Sequence, residues 1–471
     1  MTQVSPKATP AIDRYDPVYD PLRDQHPGIG RDYAPTYWVA TAGDPPADDG
    51  PVNSDIEADV VVVGSGYTGL TCALFLAREH GVKAVVLEAN RVAWGCSTRN
   101  GGQGQNASGR LTRSQWIARW GEDTALRLNA EIREGFDRFE ELVKGIDCDA
   151  QPGGHLYIAH RRRTLERLRT ESEICNRVFG YPTRIIDRPT LDGEWVREAE
   201  AVGAMHEPLG IGIHPAKLAF GYLRAARAAG AKVHPASPVM DIARANGVYR
   251  LRTPGGTVRA RAVVIATGGY TSQTLHKRLR NRIMPILSNA VVTRKLTDSE
   301  IAATSFRTRQ VITDTRVLRY YYRLLPDDRL QIGSRSAVTG ADAQNPRHLQ
   351  VLLDGLAAKF PPLRDIDIDY SWWGWVDVSH DMMPRIVQPD PTQPLFYGLG
   401  YGGNGVSYSA QAGWRLAALA VGKPGRHPLP IFTGELPGHP FAPFRRLGQR
   451  MLYRLYHRRD ERPDPVSYEA G

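Results

Sequence analysis

An α/β fold of two interleaved lobes follows from three stretches of the sequence. A strand, a glycine turn, a helix and a second strand run from Asp59 to Glu88, and further strands enter glycine turns at 262–269 and 395–405. Between these turns, residues 284–368 alternate short strand-like segments that predict an α+β second lobe. The chain has 471 residues, and single cores rarely grow past about 250–300 residues. Two lobes are therefore expected.

The first unit is the most specific. Val60, Val61, Val62 and Val63 supply a short buried strand. Gly64, Gly66 and Gly69 then permit a tight turn, close backbone approach to a pyrophosphate and close packing of the next helix. A helix through Leu70–Ala77 follows, so its N-terminus faces the phosphates, with Tyr67 and Thr68 of the turn expected at the cofactor. The strand 83–87 delivers Glu88, nineteen positions after Gly69, where a ribose hydroxyl pair would sit. This is a dinucleotide cradle, and by itself it leaves nicotinamide and flavin equally open.

The remaining elements follow in order. Residues 1–54 are rich in Pro, Asp, Gly and Tyr without periodicity and read as an extended arm over the surface. A helix is expected over 114–144, a strand over 153–159 and a helix over 162–178. The chain returns to the first lobe through a helix at 217–229 and a strand at 232–234. Strands follow at 239–242, 249–253, 257–259 and 262–266. The second lobe carries strands at 290–294, 318–325 and 330–334 and a helix at 348–359, before a last strand at 395–400 and a helix at 409–421. The expected division is 1–54 for the arm; 55–110, 205–285 and 370–425 for the dinucleotide lobe; 111–204 and 286–369 for the substrate lobe; and 426–471 for a C-terminal extension.

Composition narrows the function classes. The chain is 42% hydrophobic and 23% charged, ordinary for a globular enzyme. No apolar stretch approaches the ~20 residues that span a bilayer. The first residues lack a secretory pattern, and Cys72, Cys96, Cys148 and Cys175 form no metal or redox pair. A cytoplasmic protein without structural metal or disulfides is expected. The net charge is +10, and half of it lies between 440 and 462, where seven arginines face Asp460 and Glu461. Phe444, Leu447, Met451 and Leu455 recur on one side of this helix and Arg446, Arg450, Arg454 and Arg458 on another. One reading docks the apolar stripe on the body with the basic face in water; the other lays the helix on a membrane surface. No nucleic-acid module accompanies the charge.

A second glycine triplet, Gly398, Gly400 and Gly403, also follows a strand. Its helix runs into Pro424, Pro428 and Pro430 rather than into another strand ending in an acid, so no βαβ unit is completed. Such a turn still offers backbone amides and a positive helix end, suited to the pyrimidine edge of a flavin.

With these pieces the sequence resembles the FAD-dependent amine and amino-acid oxidoreductases of the D-amino-acid oxidase superfamily, within it the gamma-glutamylputrescine oxidase-like branch. The resemblance rests on Tyr37–Ala42, on Val60–Gly69, and on the segment from Trp94 that includes Ser97, Arg99, Asn100, Gly101, Gly102 and Gln103. It rests also on Ala266, Thr267 and Gly268, and on Gly402, Gly403, Asn404, Gly405 and Val406. Cys96 and Thr98 stand where that branch more often has Ala and Gly. The resemblance implies a Rossmann-like FAD-binding domain of the glutathione-reductase type, interleaved with a mostly antiparallel substrate domain. It implies non-covalent FAD, with Val239 beside the adenine. The implied reaction moves hydride from an amine-bearing carbon to flavin N5, with reoxidation by O2 or another acceptor. The alternatives are a membrane-surface dehydrogenase that passes electrons to a quinone-type acceptor and a non-catalytic flavin-binding subunit.

The substrate candidates come from the second lobe. Arg335 ends a hairpin that in such proteins lies near the flavin, and is expected to bind a carboxylate or the flavin edge. Tyr321 and Tyr322 alternate faces, so at most one of them is expected to point at substrate, with Tyr321 the candidate. Trp372 is expected in an aromatic wall, and His380 to tune proton transfer.

Overall fold

A computed structural model describes residues 19–423, 428–439 and 441–461. The first sheet is built around Ile56–Val63, which pairs in parallel with Gly256–Ile265 on one side and Val85–Leu87 on the other. Leu395–Leu399 and Lys232–His234 extend this parallel layer outward on its two sides. Strands buried on both faces read as continuous apolar runs, which explains the four valines. Val60 and Val62 face a core shared with the helices Tyr67–His80, Pro215–Ala228 and Gly405–Ala420, while Val61 and Val63 face a second core with Leu251, Val387 and Leu436. An antiparallel meander of Asp241–Ala245 and Val248–Thr253 joins one end of Gly256–Ile265. The two strands expected at 257–259 and 262–266 are thus one strand, and Val239 precedes the meander in a loop rather than lying within a strand.

The second sheet also has eight strands, in the order Ile368–Ser379, Ile283–Lys295, Arg329–Ser334, Tyr321–Leu324, Val311–Asp314, His155–Ala159, Gly203–Glu207 and Arg184–Asp187. Its pairings are antiparallel except that of Val311–Asp314 with His155–Ala159. Ile368–Ser379 pairs along Ile283–Lys295, so the boundary expected at 370 is displaced to the end of this strand. Gly203–Glu207 likewise sits wholly in the second sheet. A small third sheet of Gln103–Gln105, Gly210–Gly212 and Gln151–Pro152 lies between the two.

Three expectations are corrected. The helix expected over 114–144 is two helices, Arg113–Trp120 and Glu122–Lys144, because Gly121 stands at φ +79° and ends the first. The arm is no surface cover: Tyr19, Tyr37 and Trp38 are buried, and the Trp38 indole donates to the Asn100 carbonyl at 2.8 Å. Its residues 1–18 lie outside the described residues.

The third correction concerns the C-terminal helix Arg445–Glu461, which docks by its polar face. Arg446 pairs with Asp20 at 2.7 Å and lies 5.0 Å from the Trp375 ring, Arg450 pairs with Asp342 at 3.2 Å, and the Asp460 carboxylate accepts the Val317 and Leu318 N–H groups at 3.0 Å each. Phe444, Leu447, Met451 and Leu455 are 58–65% exposed. The body presents carboxylates and backbone donors under this helix, so charge pairing and not the apolar stripe sets its orientation. Arg462, the last of the seven arginines, lies outside the described residues.

The core of the second lobe contains a buried ionic network. The Lys359 ammonium, fully buried, contacts Glu198 at 3.0 Å, Asp314 at 2.9 Å and Glu200 at 3.5 Å, and Arg316 closes the network on Asp314 and Glu200 at 2.6 Å each. Although burial opposes the ammonium charge, Asp314 and Glu198 outweigh it and hold Lys359 above its ordinary range. Lys359→Met leaves the buried Glu198 without a cation and Asp314 with Arg316 alone, and removing one partner of such a buried pair costs about 3–5 kcal/mol. Chemical denaturation should show a loss of that size, and a loss below about 1 kcal/mol would contradict the network's role.

Candidate active site

The parallel strands Ile56–Val63 and Gly256–Ile265 end at one level, Val63 opposite Ile265, and Leu395–Leu399 beside them runs two residues past Tyr397, the partner of Ile265. Their following turns open on one cleft of about 290 Å³ that runs between the two sheets. Gly64 stands at φ +101°, where a Cβ would lie 2.7 Å from the Ala266 carbonyl oxygen, and a Cβ on Gly69 would lie 1.9 Å from the Gly64 oxygen. Glycine is therefore required on both sides of the turn. Helix Tyr67–His80 follows with Gly66 as its N-cap and no side-chain cap, and helix Gly405–Ala420 follows Asn404, also without one. Two positive helix ends thus meet the same cleft. A hydrogen bond of 2.9 Å between the Thr68 and Tyr401 hydroxyls ties the two turns together.

At one end the cleft is lined by Glu88, Pro238 and Val239. Glu88 accepts the Ser65 N–H at 3.0 Å and the Ser65 hydroxyl at 2.7 Å through one oxygen, and the Asn90 N–H at 3.2 Å through the other. Burial raises its pKa, with the Ser65 bonds working against it. Of the residues expected at a cofactor, Gly64, Gly66, Tyr67, Thr68, Ser97, Arg99, Asn100, Gly101, Gln103, Ala266, Thr267, Gly268, Gly402, Gly403, Asn404, Gly405 and Val406 line the same cleft. Gly69 and Gly102 do not. Gly69 packs its helix on the turn, and a Cβ on Gly102 would lie 2.2 Å from the Ile213 carbonyl, which marks a packing position.

The 97–103 loop is held from several sides. The Ser97 hydroxyl accepts the Tyr67 N–H at 3.0 Å, Asn100 accepts the Gly102 N–H at 2.8 Å, and the Gln103 amide donates to the Ile312 and Tyr322 carbonyls at 3.2 and 3.3 Å. Cys96 opens this loop. Burial, with Asp377 adding, pushes its thiol up to about 12, so it is a poor nucleophile toward a bound ring.

The opposite wall comes from the second sheet. Tyr321 lies in the cleft with its ring over Gly101 and Gly333 and its hydroxyl 3.1 Å from Ser288, whereas Tyr322 points into the core against Phe360. Arg335 also lines the cleft and donates to the Val317 carbonyl at 2.7 Å; it makes no ion pair among the described residues. Two candidates fall elsewhere. Trp372 is buried beneath the cleft, its indole donating to the Arg99 carbonyl at 2.7 Å and its ring against Trp38. His380 is exposed and packs on His439, away from the cleft.

Four cleft residues had no signal in the sequence. Arg110 donates to the Gly402 carbonyl at 3.1 Å, Arg319 to the Tyr157 hydroxyl at 2.9 Å, and Asp377 accepts the Gly400 N–H at 2.6 Å. Thr313 bonds His155 at 2.7 Å, and the other ring nitrogen of His155 bonds Glu207 at 2.7 Å. This hydroxyl–imidazole–carboxylate chain leads from the cleft into the second sheet.

The donor set defines a class: a dinucleotide-binding oxidoreductase in which the cleft between the two sheets would hold the electron-accepting ring. The glycine cradle, the two uncapped helix ends and the ribose-facing acid fit FAD. Comparison gives the family. Residues 59–419 match the model described as FAD dependent oxidoreductase, and the chain belongs to that family. It is 33% identical over 396 residues to gamma-glutamylputrescine oxidoreductase of Escherichia coli K12, covering 83% of this chain and 89% of that one. It is 29% identical to the probable oxidoreductase OrdL of Haemophilus influenzae, covering 82% and 87%. The solved glycine oxidase of Geobacillus kaustophilus shares the fold with a TM-score of 0.66 at 24% identity, over 82% of this chain and 99% of that one.

Asp377 gives the site a pH dependence. Burial pushes its carboxyl from 3.8 up to about 6, against the Gly400 N–H bond. The fold thus favours the protonated form. Its contribution to stability is greatest below about pH 4, declines as pH rises to about 6, and is level above that. The melting temperature of the wild type relative to Asp377→Asn should fall across this window, and a flat difference would rule the assignment out.

Proposed function

We propose that this chain oxidises the C–N bond of a small amine or amino acid, with FAD as the immediate electron acceptor and an imine, hydrolysed to a carbonyl compound, as the first product. The observation that carries the reading is the cleft itself, with the cofactor loops on one wall and Tyr321, Thr313 and Arg335 on the other. When bound, the flavin ring supplies the hydride acceptor. Arg335 is placed to hold an anionic end of the substrate, and Tyr321 flanks the ring side of the cleft. The amine must be neutral as hydride leaves it. We assign the departing proton to the Thr313 hydroxyl, which passes its own proton to His155 Nε2 as it accepts, with Glu207 holding the other ring nitrogen. Burial alone would raise the Glu207 carboxyl, but His155 and Arg113 more than offset it and keep it low, so this end of the chain carries negative charge.

The test is an anaerobic amine screen read by bleaching of the flavin, followed by admission of air and assay for peroxide. Bleaching by amines supports the reading, and a yellow protein that no amine bleaches favours a non-catalytic flavin subunit. The flavin should leave the denatured chain without cleavage, since Cys96 is held as a thiol. His155→Gln should slow flavin reduction about ten- to a hundredfold near neutral pH. Rising pH should shrink the deficit, because solvent then removes the proton. A deficit unchanged with pH would point to a structural role alone.

A second reading concerns a peripheral membrane contact, at which a membrane-held electron acceptor would be met. No helix among the described residues is long and apolar enough to cross a membrane. The C-terminal helix instead offers Phe444, Leu447, Met451 and Leu455 to solvent beside the exposed Arg454, Arg458 and Arg459, a pattern suited to an anionic surface. Cosedimentation with vesicles rich in phosphatidylglycerol should be lost in Leu447→Glu/Met451→Glu, and binding unchanged by that pair would remove the helix from the reading. The four cysteines are free.

A further inference from the structure

Three arginines meet in the cleft without a carboxylate partner. Arg110, Arg319 and Arg335 all line it, and among the described residues none forms an ion pair. The protein contacts recorded for their side chains are neutral: the Gly402 carbonyl for Arg110, the Tyr157 hydroxyl and ring for Arg319, and the Val317 carbonyl for Arg335. The Arg319 Nε is buried with no hydrogen-bond partner. The acids that line the same cleft are engaged elsewhere, Glu88 by Ser65 and Asp377 by the Gly400 N–H. Arg316 is paired with Asp314 and Glu200 and Arg415 with Glu131, and the fully buried Arg323, which lacks a carboxylate, is satisfied by the Gln151 amide oxygen and the Gly101 and Ile213 carbonyls. Arg110, Arg319 and Arg335 instead each make a single side-chain hydrogen bond among the described residues.

Crowding of like charge is costly unless something anionic relieves it. The strain registers on Arg110, which is held well below its ordinary range first by the Arg335 charge, then by burial and Arg319. Arg335 is lowered as well, chiefly by burial. Arg110 lies beside the Gly402 turn and is placed for the pyrimidine edge of the cofactor. Arg319 and Arg335 belong to the opposite wall, on either side of the hairpin strands Tyr321–Leu324 and Arg329–Ser334. One monocarboxylate amine satisfies one guanidinium and leaves the other unmatched.

We infer that the substrate is a dicarboxylic amine, an amino acid or N-substituted amino acid with a carboxylate for each of Arg319 and Arg335. This deepens the reading of the cleft as an amine-oxidising site and rests on it. Fork-to-carboxylate pairing at two points fixes the amine-bearing carbon between them, which orients its C–H bond. A cationic polyamine chain is disfavoured by the same charges.

The test uses the FAD-loaded protein and amine-free acids, so that binding is read without turnover. Succinate and glutarate are titrated against propionate and butyrate by the shift of the flavin absorbance spectrum. The dicarboxylates should bind at least tenfold tighter, with an advantage that shrinks as NaCl is raised. Arg335→Gln and Arg319→Gln should each reduce the advantage about tenfold, and Arg335→Lys, which keeps the charge, should retain part of it. Flavin content and melting temperature report whether each variant is folded. Equal affinity for mono- and dicarboxylates in the wild type overturns the inference, as does faster flavin reduction by putrescine or sarcosine than by N-methylaspartate. Tight dicarboxylate binding with no reduction by any amine would instead uphold the anion site and overturn the proposed chemistry.

Discussion

The parallel register that sets Val63 beside Ile265 and Ile265 beside Tyr397 is the constraint on which the rest of the molecule depends. Three parallel strands held in this register deliver three turns to one cleft, and ligand sites in such sheets form outside the carboxyl ends of the strands. The turns must then be nearly free of side chains. The Gly64 carbonyl passes where a Cβ on Gly69 would stand, and Gly64 itself has no room beside Ala266. A register shift of one residue would turn Val60 and Val62 from the helix layer to the other core and pull the two uncapped helix ends apart. The Thr68–Tyr401 bond, between residues 333 positions apart in sequence, is satisfied in this register.

The cofactor wall was legible in the sequence because backbone geometry writes itself into residue identity. A positive φ or a close carbonyl demands glycine, and a buried parallel strand demands β-branched residues, so Val60–Gly69 and the 400–405 turn carry their own reason. The substrate wall is different. Arg110, Arg319, Asp377 and Thr313 look unremarkable along the chain, because what distinguishes them is the absence of an ion-pair partner or the presence of a histidine 158 positions away. Arg335 and Tyr321 were found through a resembling hairpin and the period of two, and Trp372 was misplaced because a run of tryptophans does not say which layer each one joins.

The C-terminal helix shows a sharper limit. Its sequence states that two faces differ and does not state which one the body receives. Apolar burial favours docking the Leu447–Leu455 row at roughly 25 cal/mol per Å². The body surface offers Asp20, Asp342 and the Val317–Leu318 backbone instead, and the arginine face meets them. Half of the net charge lies in this segment, and the sequence allows its basic face either water or a membrane surface. Part of that charge is a clamp that joins the arm, the second sheet and the C-terminus near the cleft.

The division between the two walls bears on how such a site acquires its specificity. The glycine-turn wall of the cleft offers backbone N–H groups, helix ends and glycine clearances that few substitutions can alter without breaking the turn. The facing wall offers side chains of the antiparallel sheet, where Arg319, Tyr321 and Arg335 stand on strands or connections whose hydrogen bonding does not depend on their identity. A guanidinium added or lost there changes the charge of the cleft by a full unit while the register beneath it stays fixed. The cofactor can thus be shared across a family while the charge of the accepted amine is set locally, and in this chain the local setting is strongly cationic.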